Sequence, residues 1–268
     1  MIVTVDDALD PRLNAFRWRE RQLTTIAQRK SALNEGLFIA EGDLVVHRAL
    51  EAGCIPDVVL CDPKCASEFS ESVHHAGGST LVASADIRRE VTGLGVPLDA
   101  IGVFKRPPII SSDDLIVRST RLIVLDCVDN PSNVGSIART AAALGWDGLL
   151  LDSTSSDPLS RRALRVSMGT TFKLGFARFA STNEILAQLH HSGYATIGLT
   201  PHHQSREVTN LRSIHIEGKR ALVLGSERQG LSDASLELCT QLANITMADG
   251  VDSLNVASAS AIACFALL

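Results

Sequence analysis

Three short stretches hold the residues whose types and spacing can do chemistry. The first runs over 133–139 and carries Asn133, Gly135 and Arg139. The second, over 225–230, carries Gly225, Ser226, Glu227 and Gly230. The third leads from 244 through Ile245 and Met247 to Ser253, Leu254 and Asn255. Each follows an apolar run that reads as a strand (122–125, 221–224 and 244–247). In open α/β sheets, ligands sit in the turns just beyond the carboxyl ends of strands. An amide, a carboxylate and a guanidinium gathered there can orient a hydroxyl-bearing or anionic substrate. Each residue also has an ordinary alternative. Arg139 can be a solvated side chain of a βαβ loop, Glu227 a turn cap or surface ion-pair partner, and Asn255 the N-cap of the last helix.

Composition narrows the chemistry. There is no GxGxxG, no GxxxxGK[ST], no HExxH and no GxSxG, so the common dinucleotide, phosphate, zinc and hydrolase signals are missing. Six cysteines (Cys54, Cys61, Cys65, Cys127, Cys239 and Cys264) form no CxxC pair and have no His at zinc spacing, so we expect buried thiols and no metal. A net charge of −5 argues against binding nucleic acid by bulk charge, while leaving room for a local basic face. Aromatics make up only 4%, too few for a broad base-stacking platform. The first ten residues show no signal-peptide pattern, and no apolar run reaches the roughly 20 residues a membrane span needs. A cytoplasmic protein without a membrane contact is expected.

The elements that must position the three stretches follow a βα rhythm. Residues 122–151 read as strand, polar turn over 129–133, Ala-rich helix over 136–144 closed by Gly145, and a second strand at 148–151. Before it stands a compact α/β module. Its strands are expected at 37–40, 57–61, 79–82 and 100–104, and its helices at 43–52, 65–75 and 87–91. Pro107-Pro108 and the polar run 111–114 break the pattern. We therefore expect a first domain over 1–105, a linker over 106–119 and a second domain over 120–268. In the second domain, helices are expected at 158–166, 184–191, 236–239 and 255–267, and strands at 195–200, 221–224 and 244–247.

From Asp10 to Lys30, Arg12, Arg17, Arg19, Arg21, Arg29 and Lys30 accompany Phe16 and Trp18 against a single Glu20. This local basic segment reads either as a phosphate-facing arm or as a solvated helix face. Arg161, Arg162 and Arg165 pose the same choice.

Taken together, Asn133-x-x-x-x-x-Arg139, Gly225-x-Glu227-x-x-Gly230 and Ile245-x-Met247 leading to Ser253-Leu254-Asn255 resemble the three signature motifs of the SpoU (TrmH) branch of SPOUT RNA methyltransferases. The stretch 165–169 and the front-half run Phe38-Ile39-Ala40-Glu41-Gly42 are similar to further family elements, so the resemblance covers nearly the whole chain. It implies a small α/β RNA-binding domain followed by a parallel-sheet domain whose chain forms a deep trefoil knot. It also implies a homodimer through the C-terminal domain, S-adenosyl-L-methionine as cofactor, and methyl transfer to a ribose 2′-hydroxyl of RNA, rRNA before tRNA. Carried over by position, Arg139 would be catalytic, with Asn133, Glu227 and Asn255 ordering the site. Thr200, Leu224, Gly225, Gly230, Ile245, Met247, Ser253 and Leu254 would hold the cofactor. RNA contacts would fall to Arg17, Arg19, Arg21, Arg29, Lys30 and Arg165. Ser226 and the pair Arg228-Gln229 depart from the pattern of many relatives. The alternative is a catalytically silent RNA-binding or ribosome-assembly protein on the same fold.

Overall fold

The computed structural model describes residues 2–30 and 35–268. The chain divides into two units, Met1–Ile109 with Leu159–Phe172, and Ile110–Pro158 with Lys173–Leu268.

The first unit is built on five strands: β1 (Ile2–Thr4), β2 (Leu37–Glu41), β3 (Pro56–Cys61), β4 (Ser79–Val82) and β5 (Ala100–Lys105). Their order is β1-β4-β3-β5-β2, with β5 antiparallel to both of its neighbours and the other pairs parallel. The four expected strands stand within a residue of their predicted limits. The edge strand β1 is an addition, too short for its alternation to register in the sequence. Ile39, Leu60, Ile101 and Val103 form its core with Leu13 and Phe16, which come from the basic segment. That segment therefore anchors by its apolar residues, with Arg17, Arg19 and Arg21 exposed and Arg29 half-buried.

One sequence expectation is corrected in this unit. The segment Leu159–Phe172, expected in the second domain, packs with the first. The cause is electrostatic as well as apolar. Glu41, at the end of β2, is only 2% exposed at its side chain and faces Arg165 at 2.7 Å and Arg161 at 3.5 Å. A carboxylate that deep must be paired. Phe172 adds a ring contact to Phe38. The helix carrying these arginines is Arg161–Ser167, capped by Ser160, three residues later than the Pro-led start expected at 158.

The second unit carries seven parallel strands: β6 (Arg121–Leu125), β7 (Gly148–Leu151), β8 (Gly175–Arg178), β9 (Ala195–Leu199), β10 (Val208–Asn210), β11 (Arg220–Leu224) and β12 (Gln241–Asn244). The order is β10-β12-β9-β11-β6-β7-β8. A parallel sheet is covered on both faces, so its central strands are apolar throughout rather than alternating. Ile123 and Leu125 of β6 join the cluster containing Ile137 and Cys264, while Leu122 and Val124 join the opposite cluster with Leu115, Leu186 and Leu189.

Several boundaries differ from the sequence reading, among them the helix expected at 236–239, which is Asp233–Leu238. The helix expected at 136–144 is Pro131–Ala143, because Asn130 caps it (side chain accepting from the Ser132 N–H at 2.9 Å) and Pro131 fits its first position. The polar turn is thus the first helical turn. The linker 106–119 ends in the helix Ser112–Arg118, capped by Ser111, whose Leu115 and Ile116 are buried in this unit. The strand expected at 244–247 lies at β12, three residues earlier, which leaves Ile245 and Met247 in the loop beyond the strand end. Strands β8 and β10 were not anticipated; neither has more than four residues.

Candidate active site

The carboxyl ends of β9, β11 and β12 open into a cleft of about 430 Å³. Its loop geometry is dictated by glycine. A Cβ on Gly225 would lie 2.1 Å from the carbonyl carbon of Gly230, and Gly230 itself has φ of +73°. The loop closes on itself, with the Ser226 N–H donating to the Gly230 carbonyl at 2.9 Å and the Gly230 N–H returning to the Ser226 carbonyl at 3.0 Å. Only glycine permits the close approach at Gly225, and glycine is favoured by the positive φ at Gly230. The chain beyond is pinned by Asp126, buried at the end of β6, which accepts from the Ser232 N–H at 2.9 Å and the Ser235 hydroxyl at 2.7 Å.

This closed loop delivers Glu227 to the other two motifs. One oxygen of Glu227, Oε1, accepts from Asn133 Nδ2 at 2.8 Å and from Asn255 Nδ2 at 2.6 Å. The Asn255 amide also donates to Asn133 Oδ1 at 3.1 Å, and its own Oδ1 caps the helix Val256–Ala266 through the N–H groups of Ala257 and Ser258. So the capping and site readings of Asn255 hold together. Asn133 is buried within its helix, which fixes the shared vertex of the three side chains.

All eight residues expected to hold a cofactor line the cleft: Thr200, Leu224, Gly225, Gly230, Ile245, Met247, Ser253 and Leu254. Glu227 lines it too, whereas Asn133 and Asn255 stand behind Glu227. Arg139 is exposed on its helix and does not line the cleft, and among the described residues it makes no hydrogen bond or ion pair. The sequence reading missed Leu199, Pro201 and His202 of the lining. Their signal was the turn after β9, a fourth strand end at the same edge, from which only Thr200 was taken.

The expected RNA-contacting residues all lie in the first unit, in different circumstances. Arg19 and Arg21 are exposed beside a partly exposed Trp18. Arg17 donates to the Ala8 carbonyl at 2.6 Å and Arg29 is half-buried, while the Lys30 side chain lies outside what the structure describes. Arg165 is committed to Glu41, and Arg161 donates to the Phe16 and Trp18 carbonyls at 2.8 Å with Glu41 at 3.5 Å, so neither the solvated-face nor the phosphate reading of these two describes their main contact.

Cys54, Cys61, Cys239 and Cys264 are buried; burial raises the first two thiols to about 11 and the last two to about 12. Cys65 is half-buried and Cys127 exposed, a departure from the expectation of buried thiols throughout. No group of three or more His, Cys, Asp or Glu among the described residues is arranged to hold a metal. No helix among them is long and apolar enough to cross a membrane.

The model of the SpoU rRNA methylase family matches residues 120–265, more than half of the chain and all three motifs. The chain belongs to the SpoU methylase family. It is thus a member of a family of RNA methyltransferases. An uncharacterized tRNA/rRNA methyltransferase of Mycobacterium tuberculosis is 33% identical over 97% of this chain and 90% of its own length, so this likeness extends through the first unit. The fold is shared with the AdoMet-bound rRNA methyltransferase of Sinorhizobium meliloti (TM-score 0.83, 24% identity, 99% of this chain and 97% of that one). It is shared also with the SpoU methyltransferase AviRb of Streptomyces viridochromogenes in complex with AdoMet (TM-score 0.76, 24% identity, 96% of each).

Proposed function

We propose that the protein transfers a methyl group from S-adenosyl-L-methionine to a ribose 2′-hydroxyl of RNA, in rRNA rather than tRNA. The observation that carries this is the joining of all three motifs at one cleft through a single carboxylate oxygen. The cleft fits the cofactor by size, within the range of about 300–1,000 Å³ common for small-molecule sites, and by character. Leu224, Ile245 and Met247 offer apolar surface, and the glycine loop brings backbone N–H and carbonyl groups to the wall. The cofactor supplies a methyl group already activated on a sulfonium. The chain's own work is to place the ribose oxygen in line and to stabilise it as it loses its proton.

Arg139 serves the second task. A guanidinium keeps its charge at any working pH, so it acts as an electrostatic partner of the developing alkoxide while water or an RNA phosphate takes the proton. It stands exposed and outside its own chain's cleft, open to the ribose or to the cleft of a second copy. A homodimer through the second unit is part of this reading. Phe265 and Ile262 on the terminal helix are 69% and 44% exposed, apolar surface of the kind that interfaces cover. The re-entry of β11 between β9 and β6, and of β12 between β9 and β10, supports a chain threaded into a trefoil knot. The exposed Arg19, Arg21 and Trp18 support RNA binding by the first unit, with guanidinium contacts to phosphate and a ring for stacking. The preference for rRNA follows the family's description. A cytoplasmic location accords with an RNA substrate.

The test is transfer of labelled methyl from S-adenosylmethionine to total RNA of a strain lacking the gene, followed by nucleoside analysis. A 2′-O-methylated nucleoside is expected in the rRNA fraction. Arg139→Ala should slow its formation by about 10²–10³. Arg139→Lys should restore little, since an ammonium lacks the planar fork. A methylated base in place of the ribose product would refute the assignment.

A further inference from the structure

One side chain of the cleft has no task in the reading above. Arg228 lines it, is exposed, and among the described residues makes no hydrogen bond or ion pair. It is also the lone arginine or lysine of that lining among the described residues. We propose that Arg228 binds a phosphodiester oxygen of the substrate RNA at the cleft mouth, and thereby positions the strand whose ribose is methylated.

Its placement is fixed by its neighbours. The loop on which it stands is closed at both ends by the Ser226–Gly230 backbone pair and tied within by the Gln229 N–H, which donates to the Ser226 hydroxyl at 3.0 Å. On one side Glu227 is drawn inward by Asn133 and Asn255. The adjacent carboxylate is therefore engaged by two amides and forms no ion pair with Arg228. What results is a permanent positive charge on a stiff support, next to the reaction centre of a protein whose net charge is −5. A polyanionic substrate approaching an acidic protein needs such a local contact, and a guanidinium matches phosphate geometry with two parallel donors.

The other anion that could claim this group is the carboxylate of the cofactor. Position favours the phosphate. Leu224 and Leu231, at the floor of the cleft, are 1% and 5% exposed, whereas Arg228 stands in the exposed part of the loop, at the rim. A rim cation meets the larger ligand.

The inference rests on the reading that RNA is methylated at this cleft, and its test separates the two. Initial rates of methyl transfer to the same total RNA are compared for wild type, Arg228→Ala, Arg228→Lys and Arg228→Glu, and S-adenosylmethionine binding alone is measured by calorimetry. Arg228→Ala should raise the apparent KM for RNA about 10-fold, with Lys intermediate and Glu worse, as expected for a charge-assisted contact. Turnover at saturating RNA and the cofactor Kd should stay within about twofold. The slope of log kcat/KM against log salt should become shallower by about 0.7 in Arg228→Ala, the loss of one phosphate contact to a single strand. An unchanged RNA KM and salt slope would overturn the inference. So would a raised cofactor Kd with unchanged RNA KM, which would give the guanidinium to the cofactor carboxylate. Wild-type protein that methylates no RNA would overturn the function reading itself, and the inference with it.

Discussion

Glu227 offers one carboxylate oxygen to two amide groups, from residues 94 and 28 positions away in sequence. Removing the acceptor leaves both Asn133 and Asn255 short of a partner, and Asn133 is only 5% exposed. An unpaired buried amide costs about 1–3 kcal/mol, and at this vertex the cost falls on geometry. Glu227→Ala should therefore lower methyl transfer by about 10–100-fold, measured by initial rates. Glu227→Gln, which keeps an accepting oxygen, should retain more activity than Glu227→Ala. Equal loss in both would mean that the negative charge, rather than the shared acceptor, is what matters. A second residue-level balance sets an acid limit. Burial raises the Asp152 carboxyl, but hydrogen bonds from Ser155 and Thr154 outweigh it and hold the group below its usual value. A folded-state value below the unfolded one contributes stability that is complete above about pH 4 and lost as pH falls through the folded value. Asp152 also accepts the Cys127 N–H, and Cys127 holds a left-handed φ of +63°. Asp152→Asn should lower the urea midpoint at pH 7 and flatten its decline below about pH 4. An unchanged acid decline would assign it to other carboxylates.

At the scale of elements, the loop between β11 and the helix Asp233–Leu238 is the most constrained piece of the site. It packs backbone on backbone, and the clash at Gly225 is with main chain that cannot swing aside. Gly225→Ala must open the loop, at roughly 1–3 kcal/mol. The same opening withdraws Glu227 from its two amides. Calorimetry should show S-adenosylmethionine binding weakened by at least about tenfold, and thermal unfolding should come a few degrees earlier. Normal cofactor affinity in this variant would show that the tight closure is not needed for the cleft.

For the whole molecule, the terminal helix packs one side on the helix Pro131–Ala143 and leaves Phe265 and Ile262 outward. Trp146 donates to the Cys264 carbonyl at 3.2 Å, so the packed side is anchored independently of the exposed one. A charge at Phe265 should then spare the fold and act on association. If the proposed homodimer forms through this helix, wild type is expected to sediment as a dimer and Phe265→Asp as a monomer, with unfolding temperature changed little. A wild-type monomer at micromolar concentration would remove the homodimer from the proposal.

Much of the site was legible because its residues sit where local sequence speaks. A strand run followed by Gly-x-Glu-x-x-Gly, or by a loop ending at an Asn cap, is a local pattern, and the eight residues that the family resemblance assigns to the cofactor all line one cleft. The sheet strands β6, β7, β9 and β11 were legible for the same reason, as continuous apolar runs. Sequence could not show that Leu159–Phe172 packs in the first unit, because that depends on Glu41 being buried and needing two distant arginines. Nor could it show which neighbours each strand takes. The order β10-β12-β9-β11-β6-β7-β8 is chosen by packing across the whole sheet. It also decided that Glu227 is the acceptor shared by Asn133 and Asn255 while Arg139 stands apart, for no local spacing encodes a contact made across 94 residues. The sequence determined the chemical groups and the strand ends that carry them, because those are set by neighbours along the chain. The tertiary structure alone decided which of them meet, because that is set by burial and pairing between residues far apart in it.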